Sequence, residues 1–235
     1  MLAALKLAFA LSGMAVIPQG AYSPLYAAKG VERVAVHRFA LDREPVTRGE
    51  FLEFVRRHPE WRKSAVGDSG YLSDWPADLA PGTTMQLRQP VTSVSRKAAL
   101  AYCEARNKRL PTTGEWEYAA AASETKRDAL RDKKFITRLI SFYTRRSGTN
   151  IPAVGNSPAN AYGVRDMHEL VWEWTFDPAH ASHSGHGDHM YCASSAIGAA
   201  DPSNYAAFMR YAVRSGLNDR STLKTLGFRC AGTLA

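Results

Sequence analysis

Cysteine is scarce in this chain of 235 residues, which contains three: Cys103, Cys192 and Cys230. An odd number of cysteines in a secreted chain indicates one disulfide and one thiol that stays free, reactive or metal-binding. Three reduced, buried cysteines in a cytosolic protein are the alternative, and the spacing alone does not decide between the two.

Long apolar runs are missing after the N-terminus. No later segment reaches the roughly 20 apolar residues of a membrane span. The first 17 residues, in contrast, are apolar apart from Lys6, Ser12 and Gly13, a pattern typical of a signal peptide. We therefore expect residues 1–14 to be cleaved and residues 15–235 to form one domain. The protein is then periplasmic or secreted, with no membrane span in the mature chain. The alternative is a buried first strand, AVIPQGAY.

Acidic residues are outnumbered, 22 against 30 Lys and Arg, which gives a net charge of +8. Most of the excess lies in the stretches 56–63 and 126–146. Such an excess is compatible with nucleic-acid binding, but no basic motif interleaved with aromatic residues accompanies it. The second stretch is also typical of a helix with a solvated basic face, so we expect no nucleic-acid partner.

The sequence also lacks internal repeats, low-complexity linkers and a G-x-S-x-G motif. The first two absences favour a single domain. The third argues against a Ser-His-Asp hydrolase, because the motif that would carry the nucleophilic serine is missing. The sequence also gives no support for acid–base catalysis by paired carboxylates.

Three helices are predicted from their start signals. Thr47 and Glu50 form a capping box ahead of apolar residues at helical spacing. A second helix is predicted to begin near Ser95 and to bury Ala98, Ala99 and Tyr102, which lie in AALAYCEAR. A third is predicted to follow the capping box of Thr112 and Glu115 and to bury Trp116.

The rest of the chain predicts short strands and long loops. VERVAVHRFAL alternates apolar and polar residues, as a half-exposed strand does. Residues 149–162 and 177–203 are rich in Pro, Gly, Asn and Ser, which is typical of loops. Few helices and much irregular structure favour a mixed α+β domain.

Four stretches, in this order and spanning nearly the whole chain, carry a family resemblance. They are AVIPQGAY with RFALDREPVTRGEFLEFV, then QPVTSVSRKAALAYCEARNKRLPTTGEWEYAAAA, then NAYGVRDMHELVWEW, and finally LGFRCAG. Together they resemble the formylglycine-generating-enzyme, or sulfatase-modifying-factor, superfamily. The resemblance implies its α+β variant of the C-type-lectin-like fold, which is rich in irregular loops.

The resemblance also implies a disulfide and a calcium site. In family members the cysteine of the AYC motif pairs with that of the GFRC motif, which carries over to Cys103 and Cys230. The family's calcium ligands carry over to the side chains of Asp166 and Glu173 and to two main-chain carbonyls, those of Glu169 and Val171. Carboxylate and carbonyl oxygens suit calcium. The usual Gly-Asn pair reads Glu169-Leu170 here, and the alternative is that Asp166 and Glu173 cap turns or pair with arginines.

The family's oxidases also bind copper, and this chain differs from them at the copper-binding residues. Formylglycine-generating enzymes hold copper(I) with two cysteines five residues apart, since soft thiolates suit that ion. The first aligns with Cys192, but Ile197 stands at the second position. The two-cysteine site cannot form, so we expect no ordinary sulfatase activation, and Cys192 is the one candidate catalytic residue.

Histidines cluster just before this cysteine. Four of the seven in the chain recur every third residue and end three residues before Cys192: His180, His183, His186 and His189. Imidazole and thiolate together can bind copper, zinc or iron. A copper site of Cys192 with these histidines and an exposed loop whose histidines have no role are both open interpretations.

Three functions follow as hypotheses. In the first, the protein is an exported accessory or maturation factor that handles copper for a periplasmic metalloenzyme. The reason is a resemblance: superfamily members that have a single cysteine here and a similar C-terminal segment resemble proteins encoded beside copper nitrite reductases. In the second, it is a non-heme metal-dependent oxidase acting on a thiol or peptide. In the third, it is a lectin-like binding module without chemistry. The sequence favours the first.

Overall fold

Short strands and helices are separated by long irregular segments. The computed structural model describes residues 13–23, 33–144, 151–176 and 205–234. The strands are β1 (Met14–Ile17), β2 (Gly20–Tyr22), β3 (Val34–Val36), β4 (Phe39–Asp42), β5 (Trp172–Glu173), β6 (Leu226–Gly227) and β7 (Ala231–Thr233). The helices are α1 (Arg48–Arg57), the one-turn α2 (Lys63–Val66), α3 (Arg96–Glu104), α4 (Thr113–Ala120), α5 (Lys133–Thr144) and α6 (Tyr205–Ser215). Two 3₁₀ turns lie at Pro59–Trp61 and Thr84–Arg88. This is the mixed α+β architecture that the sequence predicts.

The central sheet is antiparallel, with strand order β1-β4-β7. Ile17 pairs with Phe39, and Leu41 pairs with Ala15 on one side and Ala231 on the other. All five side chains are buried. The last described strand, β7, is thereby paired with β4, which pairs with β1 along its other edge.

The segment AVIPQGAY forms two strands rather than one. Pro18, which has no N–H to donate, follows the last residue of β1. β2 then pairs with β3 in a separate two-stranded sheet. β1 begins at Met14, the last residue of the expected signal peptide, and the Met14 side chain is 8% exposed; cleavage of that segment stays a prediction.

The alternating segment VERVAVHRFAL also divides. β3 and β4 are separated by His37 and Arg38, both exposed. β3 pairs only with β2, whereas β4 lies between β1 and β7. The prediction of one half-exposed strand was therefore wrong in extent, because the two halves belong to different sheets.

The predicted helix starts are confirmed. Thr47 and Thr112 each form the two reciprocal hydrogen bonds of a capping box, with Glu50 and Glu115, and Ser95 caps α3. The basic stretch 126–146 is helical only from Lys133, because Asp132 ends the preceding loop. The Oδ1 atom of Asp132 accepts hydrogen bonds from the backbone N–H groups of residues 134 and 135, at 3.0 and 3.4 Å.

The core joins the helices to the C-terminal segment. Ring centroids of Phe51, Phe54, Tyr102 and Phe228 lie 5.2 to 5.7 Å apart in neighbouring pairs. Next to them the predicted disulfide between Cys103 and Cys230 is confirmed, with both residues fully buried. Within the described ranges, no helix has the length and apolar character needed to cross a bilayer.

Candidate functional site

The predicted copper residues, His180, His183, His186, His189 and Cys192, lie outside the described residues, as does Ile197. The described chain stops at Phe176 and resumes with α6. Phe176 is held by a hydrogen bond from its N–H to the carbonyl of Pro111, at 2.8 Å. Copper binding by Cys192 and the histidines stays a prediction.

Asp166 is fixed by a local turn. Its backbone adopts the left-handed region, with φ of 58°, and its side chain is buried. The two carboxylate oxygens accept hydrogen bonds from the N–H groups of Gly155, at 2.5 Å, and Ser157, at 3.0 Å. The Ser157 hydroxyl accepts the N–H of Asp166 in return, at 2.6 Å. Asp166 therefore ties the 155–157 loop to the segment that leads into β5.

Glu173 is held on β5 in a different way. Its side chain is fully buried and both oxygens accept from Arg229: Nε donates to Oε2 and Nη2 to Oε1, each at 2.8 Å. The indole N–H of Trp116 adds a third hydrogen bond to Oε2, also at 2.8 Å. The charge of this buried carboxylate is thus balanced by a protein cation.

These contacts bear on whether the four predicted ligands suit calcium. Oxygen donors are chemically appropriate, but every carboxylate oxygen of Asp166 and Glu173 already has a protein partner. A calcium ion at Glu173 would also have to share that carboxylate with the guanidinium of Arg229. The described contacts fit the alternative interpretation, because Asp166 accepts turn N–H groups and Glu173 pairs with an arginine. Calcium at Asp166, Glu169, Val171 and Glu173 stays a prediction. Among the described residues, no three His, Cys, Asp or Glu side chains are grouped closely enough to hold a metal.

A second ion-pair cluster joins α4 to α6. The carboxylate of Glu117 accepts from Nε and Nη2 of Arg210, with the shortest distance 2.6 Å, and from Nη2 of Arg214, also at 2.6 Å. Burial raises the pKa of Glu117, but the charges of Arg210 and Arg214 outweigh that effect and hold it at about 2. Arg210 is 3% exposed, and its guanidinium carbon also lies over the ring of Trp116, 5.4 Å from the ring centroid. Trp116 thus contacts both clusters.

His168 lies between two small cavities. Its ring packs edge-on against Trp116 and Phe135, and its Nε2 atom lies 2.7 Å from the carbonyl of Ala120. Because a carbonyl only accepts, Nε2 carries the proton. Burial, with the charge of Arg210, lowers the pKa of His168 to about 3, so the imidazole is neutral at physiological pH.

The two cavities have volumes of about 40 and 20 Å³. Arg138, Asp166 and Glu169 line the larger one, and Trp172, Arg210 and Arg214 line the smaller. Each has room for one to a few water molecules. Neither is large enough for an organic substrate without rearrangement.

Sequence reasoning missed the residues that organise this region: Glu117, His168, Arg210, Arg214 and Arg229. Arg210 and Arg214 carried a usable signal, since residues four apart share a helix face. Their common partner did not, because Glu117 is 93 residues from Arg210.

Comparison with known proteins identifies this architecture. Residues 6–234 match the sulfatase-modifying factor enzyme 1-like domain family. The chain is 31% identical over 242 residues to the inactive C-alpha-formylglycine-generating enzyme 2 of Bos taurus, with 86% of this chain and 79% of the relative covered. It is 26% identical over 266 residues to the formylglycine-generating enzyme of Mycobacterium tuberculosis, with 85% and 89% covered.

A solved structure shares the fold. The structure of CarF superposes with a TM-score of 0.54 at 17% identity, with 94% of this chain and 98% of CarF covered. The domain is therefore of the formylglycine-generating-enzyme-like α+β class. The chain belongs to the sulfatase-modifying factor enzyme 1-like family.

Proposed function

We propose that this protein is an exported copper-handling accessory or maturation factor for a periplasmic metalloenzyme. The observation that carries the proposal is the sequence around Cys192, where one thiol follows four histidines. Thiolate suits copper(I) and imidazole suits copper in either common oxidation state. A site with one thiolate is better fitted to transient holding of the ion than the two-thiolate site of the oxidases.

The pairing of the other cysteines supports a free thiol at Cys192. Of the three cysteines in the chain, Cys103 and Cys230 are joined in the core. When that bond is formed, Cys192 is the one thiol left to ionise and bind a soft metal. An isolated thiol of this kind favours a ligand role.

The family relatives support a role other than sulfatase activation. The relative from Bos taurus is named as inactive, so family membership at this level of identity does not imply formylglycine formation. Ile197 occupies the position of the second copper-binding cysteine. Export, a periplasmic partner and copper itself are parts of the proposal that rest on the sequence.

Elemental analysis of the purified protein, loaded anaerobically with copper(I), tests the proposal. We expect about one copper per chain in the parent protein, and a large loss both in Cys192→Ala and in a variant with the four tract histidines changed to Ala. His37→Ala with His58→Ala, two histidines outside the tract, is the matched control and should keep its copper. Equal copper in the parent and Cys192→Ala proteins would refute copper handling at this residue.

A metal-dependent oxidase is the second candidate, because the relative from Mycobacterium tuberculosis is named as an enzyme. Oxygen consumption by the metal-loaded protein, measured with a cysteine-containing peptide, distinguishes the two roles. Turnover that depends on Cys192 supports the oxidase, and stoichiometric copper without turnover supports the accessory factor. A lectin-like binding module remains if neither copper nor turnover depends on Cys192.

A further inference from the structure

Three exposed cations at the start of α5 have no protein partner among the described residues. Arg131, Lys133 and Lys134, here called the α5 basic surface, lie within four positions of the chain and are all exposed. None of them forms an ion pair or a side-chain hydrogen bond in the part of the chain that the structure describes. The sequence shows the charges, and the structure shows that none of the described carboxylates pairs with them.

Carboxylates near the α5 basic surface are committed to other groups. The Oδ2 atom of Asp132 pairs with Lys126 at 2.6 Å, while its Oδ1 atom caps α5. Glu124 pairs with Arg138 at 2.5 Å. Asp128 accepts a backbone N–H at 3.2 Å. Within the described ranges, none of these carboxylates pairs with Arg131, Lys133 or Lys134.

The cations of the α5 basic surface do not stabilise α5. Lys133 and Lys134 occupy the first turn of α5, where the positive end of the helix dipole disfavours cations. The packing of α5 is carried instead by Phe135 and Leu139, which are buried on its opposite side. Cations that oppose the dipole and pair with none of the described carboxylates are better explained by an external partner than by stability.

We propose that the α5 basic surface docks an acidic face of a partner protein. A partner of opposite charge complements both the cluster and the net charge of +8. Nucleic acid is a poorer fit, because Phe135, the aromatic residue next to these cations, is buried and offers no base-stacking platform. A lipid surface is also a poorer fit, because the apolar side of α5 is occupied by the core. The proposal does not depend on which metal the protein handles, so it can fail or succeed independently of the copper role.

Binding to fluorescently labelled poly-L-glutamate, followed by anisotropy at low and physiological salt, tests this surface. The test variant changes Arg131, Lys133 and Lys134 to Glu. The matched variant changes Arg57, Lys97 and Arg220 to Glu, three exposed cations that also lack an ion pair among the described residues, so that the net charge is identical. All six positions are exposed, and glutamate in the first turn of α5 favours the helix, so both variants should fold; circular dichroism checks this.

We expect the α5 variant to lose about tenfold or more in affinity for poly-L-glutamate and the matched variant to lose about threefold or less. Equal losses in the two variants would show that net charge alone acts, and would overturn the proposal. A duplex DNA oligonucleotide and phosphatidylglycerol vesicles are tested in parallel. If their binding depends on the α5 basic surface while that of poly-L-glutamate does not, the acidic-protein assignment is wrong.

Discussion

Glu173 and Arg229 form a fully buried ion pair in which two guanidinium nitrogens each lie 2.8 Å from a different carboxylate oxygen. Arg229 extends the pair by donating to the carbonyls of Asp42, Arg43 and Arg165, at 2.9 to 3.3 Å. It therefore connects β4, the loop before β5 and the C-terminal segment. Replacing both residues of a buried ion pair with apolar residues often costs little stability. Removing only one of them is costly, because the other charge is left buried without a partner.

Glu173→Gln should be strongly destabilising. The substitution leaves the guanidinium of Arg229 buried without its counter-charge, which costs about 3–5 kcal/mol. Glu53→Gln is the matched control, because Glu53 pairs with Arg56 on the surface and is 49% exposed; its effect should stay within about 0.5 kcal/mol. Urea unfolding of the three proteins measures both values. A loss below about 1 kcal/mol for Glu173→Gln would mean that the pair is relaxed or hydrated in solution.

Calcium removal should change the stability little. Arg229 already neutralises Glu173, and backbone N–H groups donate to both carboxylate oxygens of Asp166. Neither carboxylate therefore needs a calcium ion to complete its contacts. We expect the thermal midpoint to be nearly the same in EGTA and in excess calcium. A midpoint that rises by several degrees on adding calcium, but not magnesium, would instead establish the calcium site predicted from the family resemblance.

The disulfide should be a major contribution to stability. Cys103 and Cys230 are 127 residues apart, and loop closure of more than 100 residues stabilises by about 4–5 kcal/mol through the unfolded chain. Cys103→Ala with Cys230→Ala should lose about that much in urea unfolding. Cys192→Ala keeps the disulfide and is the control. If the oxidised parent and the double variant unfold at the same urea concentration, the bond is not formed in solution.

Local features of the fold were predictable because they depend on residues close in sequence. A capping box needs a threonine and a glutamate three positions apart, and both boxes, at Thr47 and Thr112, are present as predicted. The disulfide and the fold class followed from the family resemblance rather than from any local rule. The glycine of the GFRC motif has a reason visible only in the structure: a Cβ on Gly227 would lie 2.5 Å from the carbonyl oxygen of Val91.

The features that were missed depend on which distant segments meet. Nothing in VERVAVHRFAL says that its halves pair with different strands, since alternation specifies a face and not a partner. That Glu173 pairs with an arginine was one of the two stated interpretations, but nothing in the sequence chose Arg229, which lies 56 residues away. The pairing of Glu117 with Arg210, which joins residues 93 apart, was missed entirely. With 30 cations and 22 acids in the chain, charge alone does not choose among the possible pairs.

Glu117 should make the stability fall in acid. Its pKa is about 2 in the folded protein, below the ordinary value of 4.5, because Arg210 and Arg214 outweigh the effect of burial. The unfolded chain therefore binds a proton that the folded chain does not, so the stabilisation is complete above about pH 4.5 and is lost as the pH falls toward 2.

Across that window this group alone contributes a slope of up to about 1.4 kcal/mol per pH unit. Glu117→Gln should be less stable than the parent at neutral pH, because Arg210, which is nearly buried, and Arg214 lose the carboxylate charge that they share. Its stability should decline less steeply below pH 4.5. Glu104→Gln, at an exposed position on α3, should keep the slope of the parent. Urea unfolding at intervals between pH 7 and pH 3 gives all three curves. Parallel curves for Glu117→Gln and the parent would show that the carboxylate does not hold its low pKa, and that α6 is not anchored to α4 through it.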